Sequence, residues 1–157
     1  MKAVLIVVGK TTYKHFEAGI SEYLSRISHY LQFSIEVIPE LKATRNLSES
    51  EQKEREAALI TKVLQPSDHV VLLDEHGSER TSIEFARWMQ RKMAMGLRRL
   101  VFIIGGPYGF ADSIHRLAAE EVSVSKMTFS HQMIRLIFVE QVYRAMTILN
   151  NEPYHHE

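Results

Sequence analysis

Four groups of residues in this chain have types and spacings that could do chemistry. The first is Gly105-Gly106-Pro107-Tyr108-Gly109, which follows the apolar run Leu100–Ile104. Paired glycines let a ligand or another backbone approach a strand end closely, and Pro107 stiffens the turn while removing a donor. Open α/β sheets bind ligands at such strand ends. A plain tight turn between strand and helix is an equal alternative. The second group is His131 and Arg135, four residues apart and so on one face of a helix. There an imidazole could accept a proton, and a guanidinium could stabilise an anion or hold a phosphate. A helix-start histidine and an interface arginine fit equally well. Glu140 and Arg144 repeat the spacing, and an intrahelical ion pair is the better reading for them. The fourth group is the tail Tyr154-His155-His156, an aromatic ring and two imidazoles that composition alone would make a frayed end.

Several familiar chemistries are missing. The glycine stretch is not Gly-x-Gly-x-x-Gly, because Pro107 occupies the second required glycine. It is not a P-loop, since no Gly-Lys-Ser/Thr follows. Gly9-Lys10-Thr11 has that ending without the earlier glycine. Serine-hydrolase elbows and His-Glu-x-x-His motifs are absent. The chain has no cysteine, which excludes disulfides, thiolate metal sites and cysteine nucleophiles, and no metal is expected.

The elements that must position these residues alternate along the chain. Lys2–Val8 is a continuous apolar run and reads as a buried strand. Phe16, Ile20, Tyr23, Leu24 and Ile27 give helical spacing across Tyr13–Tyr30. Ser34–Ile38 is a short strand stopped by Pro39, and residues 39–47 form a surface loop. Ser48 with Glu51 makes a capping box for a helix running to about Leu64. His69–Asp74 is a third strand. Thr81 with Glu84 opens a helix that ends near Gly96, and Leu100–Ile104 is the fourth strand. A short helix from Asp112 to about Glu120 precedes a fifth strand, Glu121–Val124. Ser130 caps a final helix reaching about Leu149. Such alternation predicts one α/β domain over residues 1–157, with a mostly parallel sheet and helices on both faces.

Ala3–Val8 is too short to span a membrane, and no small-residue cleavage site follows. A soluble cytoplasmic protein is expected. Lysine plus arginine number 19 and aspartate plus glutamate 19, so net charge is zero. That balance argues against simple duplex binding by bulk charge. A local basic patch of Arg87, Arg91, Lys92, Arg98 and Arg99 stays possible. The final helix is apolar on nearly every side from Met133 to Leu149. In a small domain that favours a second copy of the chain as cover, over a helix sunk between two layers.

Ile103-Ile-Gly-Gly-Pro-Tyr-Gly109, Val122-Ser-Val-Ser-Lys-Met-Thr-Phe-Ser-His131, Glu140-Gln-Val-Tyr-Arg-Ala145 and Asn151-Glu-Pro-Tyr-His-His156 occur in order, with Val7-Val-Gly-Lys10 near the start. Together they resemble the large-subunit rRNA pseudouridine N3-methyltransferase family, the small single-domain branch of the SPOUT methyltransferases. The resemblance covers essentially the whole chain. It implies a deep trefoil knot near the C-terminus, a rare exception to unknotted connectivity. It implies a homodimer that holds S-adenosylmethionine in the knot and needs no metal. Its cofactor loops carry over to Leu73, to Gly105, and to Val124, Ser125, Lys126, Met127, Thr128 and Phe129. The substrate implied is a pseudouridine in helix 69 of 23S rRNA in the assembled ribosome. The resemblance also implies a tail folded over the active site, with Tyr154 stacking on the base and His155 beside it. His131, Arg135, Tyr154 and His155 are then the candidate catalytic residues. A competing reading is a non-catalytic ribosome-binding module on the same fold, for which intact cofactor loops would be superfluous.

Overall fold

The structure, a computed structural model, describes residues 1–156. The elements run β1 (Lys2–Val8), α1 (Lys14–Ile27), β2 (Gln32–Ile38), a 3-10 turn (Thr44–Asn46), α2 (Glu49–Val63), β3 (His69–Glu79), α3 (Ser82–Ala94), β4 (Arg99–Ile104), α4 (Asp112–Leu117), β5 (Glu120–Ser123) and α5 (Met133–Leu149). All five strands are parallel, in the order β2-β1-β4-β3-β5. Alternation along the central strands divides the core in two. Ala3, Leu5 and Val7 of β1 and Leu100, Phe102 and Ile104 of β4 face α1, α3 and α5. Val4 and Ile6, with Val101 and Ile103, face α2 and α4. A strand covered on both faces must be apolar throughout, which is why β1 and β4 carry unbroken runs.

The two capping boxes form as the sequence predicts. Ser48 accepts the Glu51 amide while Glu51 reaches back, and Thr81 and Glu84 do the same. Other boundaries move. β3 continues past Asp74 to Glu79, and pairs with β5 at Val71–Leu73 and again at Ser78–Glu79. Between the two registers, residues 74–77 leave the ladder. Glu120 belongs to β5 instead of closing α4, because three donors fix its carboxylate: Lys92 Nζ, Trp88 Nε1 at 2.9 Å and His69 Nε2 at 3.2 Å. The last helix begins at Met133, although the Ser130 hydroxyl still accepts the Met133 amide at 3.1 Å.

That carboxylate also breaks up the expected basic patch. Lys92 is buried against Glu120, and Arg99 pairs with Asp68 at 3.1 Å. Arg87, Arg91 and Arg98 remain exposed. α5 packs on its own sheet. It lies between α1 and α3 over the sheet, with Phe138, Val139, Val142, Ala145 and Met146 buried within its own chain. Much of its apolar surface therefore has cover without a second copy, and Met133 is its exposed apolar side chain.

Burial alone would raise the Glu120 carboxyl, but Lys92, Trp88 and His69 outweigh it and hold the pKa down from 4.5 to about 2. A depressed carboxyl stabilises the fold above its unfolded value, and that contribution fades as pH falls toward 2. Glu120→Gln is expected to flatten the acid limb of stability between about pH 5 and 2. Urea unfolding at several pH values measures it, and an unchanged slope would show that other groups set the limb.

Candidate functional site

Above the C-terminal ends of β3 and β4 lies a cleft of about 660 Å³. That volume suits a cofactor-sized molecule. Leu73 and Ile104, the last paired residues of the two strands, reach its floor. The turn Gly105–Phe110 forms one wall, and the loop after β5 forms the opposite one. His131 and Ile134, at the start of α5, close a third side. Asp74, Glu75 and His76 come from the segment that leaves the β3–β5 ladder, so the break in pairing delivers polar groups to the cleft.

Local bonds hold the loop after β5. Ser123 Oγ donates to the Ser125 carbonyl at 2.9 Å, and Ser125 Oγ accepts the Met127 amide at 3.0 Å. Thr128 Oγ1 donates to Glu75 Oε2 at 2.8 Å, tying this loop to the 74–77 excursion. Asp74 accepts both the amide and Nδ1 of His76, at 2.8 and 3.0 Å. Its side chain is only 15% exposed.

The structure brings most of the sequence-predicted residues together. Leu73, Gly105, Val124, Ser125, Met127, Thr128 and Phe129 all line the cleft, and so does His131. Lys126 does not: its side chain is 85% exposed, with Nζ 3.8 Å from Glu79. Arg135 lies behind the cleft and is 1% exposed. It donates to the carbonyls of Val8 and Gly9 at 2.8 Å, to Thr11 Oγ1 at 3.2 Å, and to the carbonyl of His131 at 2.9 Å. Burial pulls the guanidinium below its ordinary value, opposed by Glu40. In this arrangement Arg135 fixes the backbone under His131 and leaves the cleft to His131 itself.

Tyr154 and His155 sit at the other end of α5. Tyr154 Oη donates to Glu140 Oε1 at 3.0 Å, the Arg144 guanidinium stacks 4.7 Å from its ring, and His155 Nδ1 is 3.3 Å from Arg144. Glu140 and Arg144 form the expected ion pair at 2.6 Å. The tail thus packs back against the middle of α5, and within one chain neither Tyr154 nor His155 lines the cleft. Sequence reasoning missed Asp74, Glu75, His76 and Lys53 as lining residues. The run Val70–Leu73 ending in Asp74 carried a usable signal, because a polar residue at a parallel strand's C-terminal end faces the ligand side.

Comparison with known proteins adds independent information. The family profile described as "Predicted SPOUT methyltransferase" matches residues 1–155. A protein of Phocaeicola vulgatus named Ribosomal RNA large subunit methyltransferase H is 64% identical over 157 residues, covering all of both chains. The protein of that name from Bacteroides fragilis is 61% identical, again over the full length of both. One from Christiangramia forsetii is 53% identical over 156 residues, 99% of each.

Arg135 makes its bonds where no water can replace them. Removing a buried charged donor from several acceptors costs about 2–4 kcal/mol. Arg135→Ala is expected to lose stability in that range by denaturant unfolding. A loss below about 0.5 kcal/mol, the usual surface effect, would contradict the structural role.

Proposed function

This chain belongs to the SPOUT methyltransferase family, and we propose that it transfers a methyl group from S-adenosylmethionine to N3 of a pseudouridine in helix 69 of 23S rRNA, in the assembled ribosome. The observation that carries this reading is the cleft itself. The ends of two adjacent parallel strands and the loop after a third meet there around one cofactor-sized space. Full-length identity to relatives named for large-subunit ribosomal RNA methylation supports the substrate class.

The lining fits S-adenosylmethionine. Leu73, Ile104 and Phe129 offer apolar cover for an adenine, and backbone groups at Gly105 and Val124 stand at strand ends where they can read its edge. Asp74 holds a largely buried carboxylate in the wall, suited to ribose hydroxyls or an ammonium. When bound, the cofactor supplies an electrophilic methyl on a sulfonium. The chain must align the acceptor nitrogen with it and take the N3 proton. His131 lines the cleft and is the acceptor we assign; Arg135 holds its backbone in place. Lys126 keeps a place in the cofactor loop through its backbone.

Tyr154 and His155 meet a target base when a second copy supplies them, because neither lines the cleft of its own chain. Met127, Tyr108 and Met133 are exposed apolar side chains at or beside the cleft that such a copy would cover. The active protein is thus a homodimer in the cytoplasm, with ribosomal RNA as its partner. The trefoil threading is what membership of the family implies.

Three measurements test this reading. Ribosomes incubated with the protein and labelled S-adenosylmethionine are expected to gain one N3-methylpseudouridine in 23S rRNA, detected by mass spectrometry of nuclease fragments. His131→Ala is expected to slow transfer about 100-fold, the scale of a lost general base, with cofactor affinity unchanged. No transfer by the wild type, or a wild-type rate for the variant, would contradict the activity or the assignment respectively. Sedimentation at micromolar concentration should give a dimer, whereas a monomer would rule out the shared site.

A further inference from the structure

The second glycine of the Gly105-Gly106 pair has an explanation outside the cleft. Gly106 does not adopt positive φ, so backbone conformation does not require a glycine there. The space where its side chain would stand is filled by another residue's carboxylate. A Cβ at Gly106 would lie 2.4 Å from one carboxylate oxygen of Glu56 and 2.6 Å from the other. Glu56 sits on α2, is 5% exposed, and does not line the cleft.

A carboxylate in such a place costs free energy unless donors meet it. Gln52, one turn earlier on α2, donates to Oε1 at 3.3 Å, and the carboxylate lies against the Gly106 backbone, whose amide favours its charged form. Burial pushes the Glu56 carboxyl upward against these two groups. The charged groups acting on it from other elements are Glu40, which adds to the rise, and His131, which opposes it. Its neighbours on α2, Ala57 and Ile60, are buried against the sheet, so the helix that carries Glu56 is anchored by the core. Within the turn, Gly106 and Gly109 form an isolated antiparallel bridge, with the Gly109 amide donating to the Gly106 carbonyl at 3.1 Å.

We propose that Glu56 is a positioning residue for the cofactor wall, its carboxylate tethering the Gly106 amide so that the Gly105 backbone is presented to S-adenosylmethionine in a fixed geometry. The inference rests on the cofactor reading above. It explains why a half-buried turn with few bonds of its own can serve as a wall. A free turn would lose conformational entropy at each binding event, and a tethered one has lost it already.

The test is calorimetric titration of S-adenosylmethionine into the full-length wild type, Glu56→Gln and Glu56→Ala, alongside the NMR signal of the Gly106 amide in the wild type. The Gln side chain keeps an oxygen acceptor, so its affinity should stay within about threefold of wild type, whereas Ala should weaken binding about tenfold. KM for the cofactor should rise in Glu56→Ala more than kcat falls, a split that general loss of stability would not produce. The Gly106 amide should exchange slowly even without cofactor. A folded Glu56→Ala protein that binds like wild type overturns the proposal. If that variant does not fold, a Gly106 amide exchanging at the rate of a free loop in the wild type overturns it instead. Failure of the wild type to bind the cofactor, with the Gly106 amide still protected, would refute the cofactor reading and leave the tether standing.

Discussion

At Gly77 the backbone of β3 runs against β5 so closely that an added Cβ would lie 2.6 Å from the Val122 nitrogen and 2.7 Å from the Glu121 carbonyl carbon. This close approach ends the excursion of residues 74–77, after which Ser78 and Glu79 resume pairing with Val122 and Ser123. Val122 thus pairs twice, with Leu73 before the break and with Ser78 after it. The extra residues between have nowhere to go but outward, over the strand ends. They carry Asp74, Glu75 and His76 into the cleft and set Glu75 where Thr128 can bond it. The contact between two backbones thereby decides where the polar wall of the site stands.

Around that contact the other walls hang on rigid elements. The Glu56 carboxylate on α2 lies behind Gly106 in the turn after β4, and the start of α5 is pinned to the end of β1 by Arg135. There a buried guanidinium satisfies backbone carbonyls that a loop would otherwise leave to water. The result is a preformed space whose walls come from both layers of helices and from the sheet between them. A methyl transfer without metal depends on alignment, and alignment requires walls of this kind.

How much was legible in the sequence follows from which forces a one-dimensional pattern records. β1 and β4 were readable almost to the residue because burial on both faces leaves an unbroken apolar run. The capping boxes were readable because their chemistry is local. The second half of β3 was not, since Glu75-His-Gly-Ser-Glu79 is polar and pairs through its backbone. Lys92 and Arg99 read as surface charges because nothing nearby in sequence announces Glu120 or Asp68 as their partners. Glu56 stands among the charged residues Glu49, Glu51, Lys53, Glu54 and Arg55, where nothing nearby in sequence announces its burial. Most of the cleft lining was legible through the strand-end positions and the resemblance together. The distance from the cleft to Tyr154 was not, because it depends on which way α5 runs across the sheet.

The central claim is that three segments, residues 73–77, 104–110 and 123–130, form one pocket for S-adenosylmethionine. Hydrogen exchange read by mass spectrometry, with and without saturating cofactor, tests it most directly. The account predicts slowed exchange in those three segments together and little change over the carboxy-terminal half of α2 and the amino-terminal half of α1. Protection confined to another part of the surface, or absent at saturating cofactor, would contradict it.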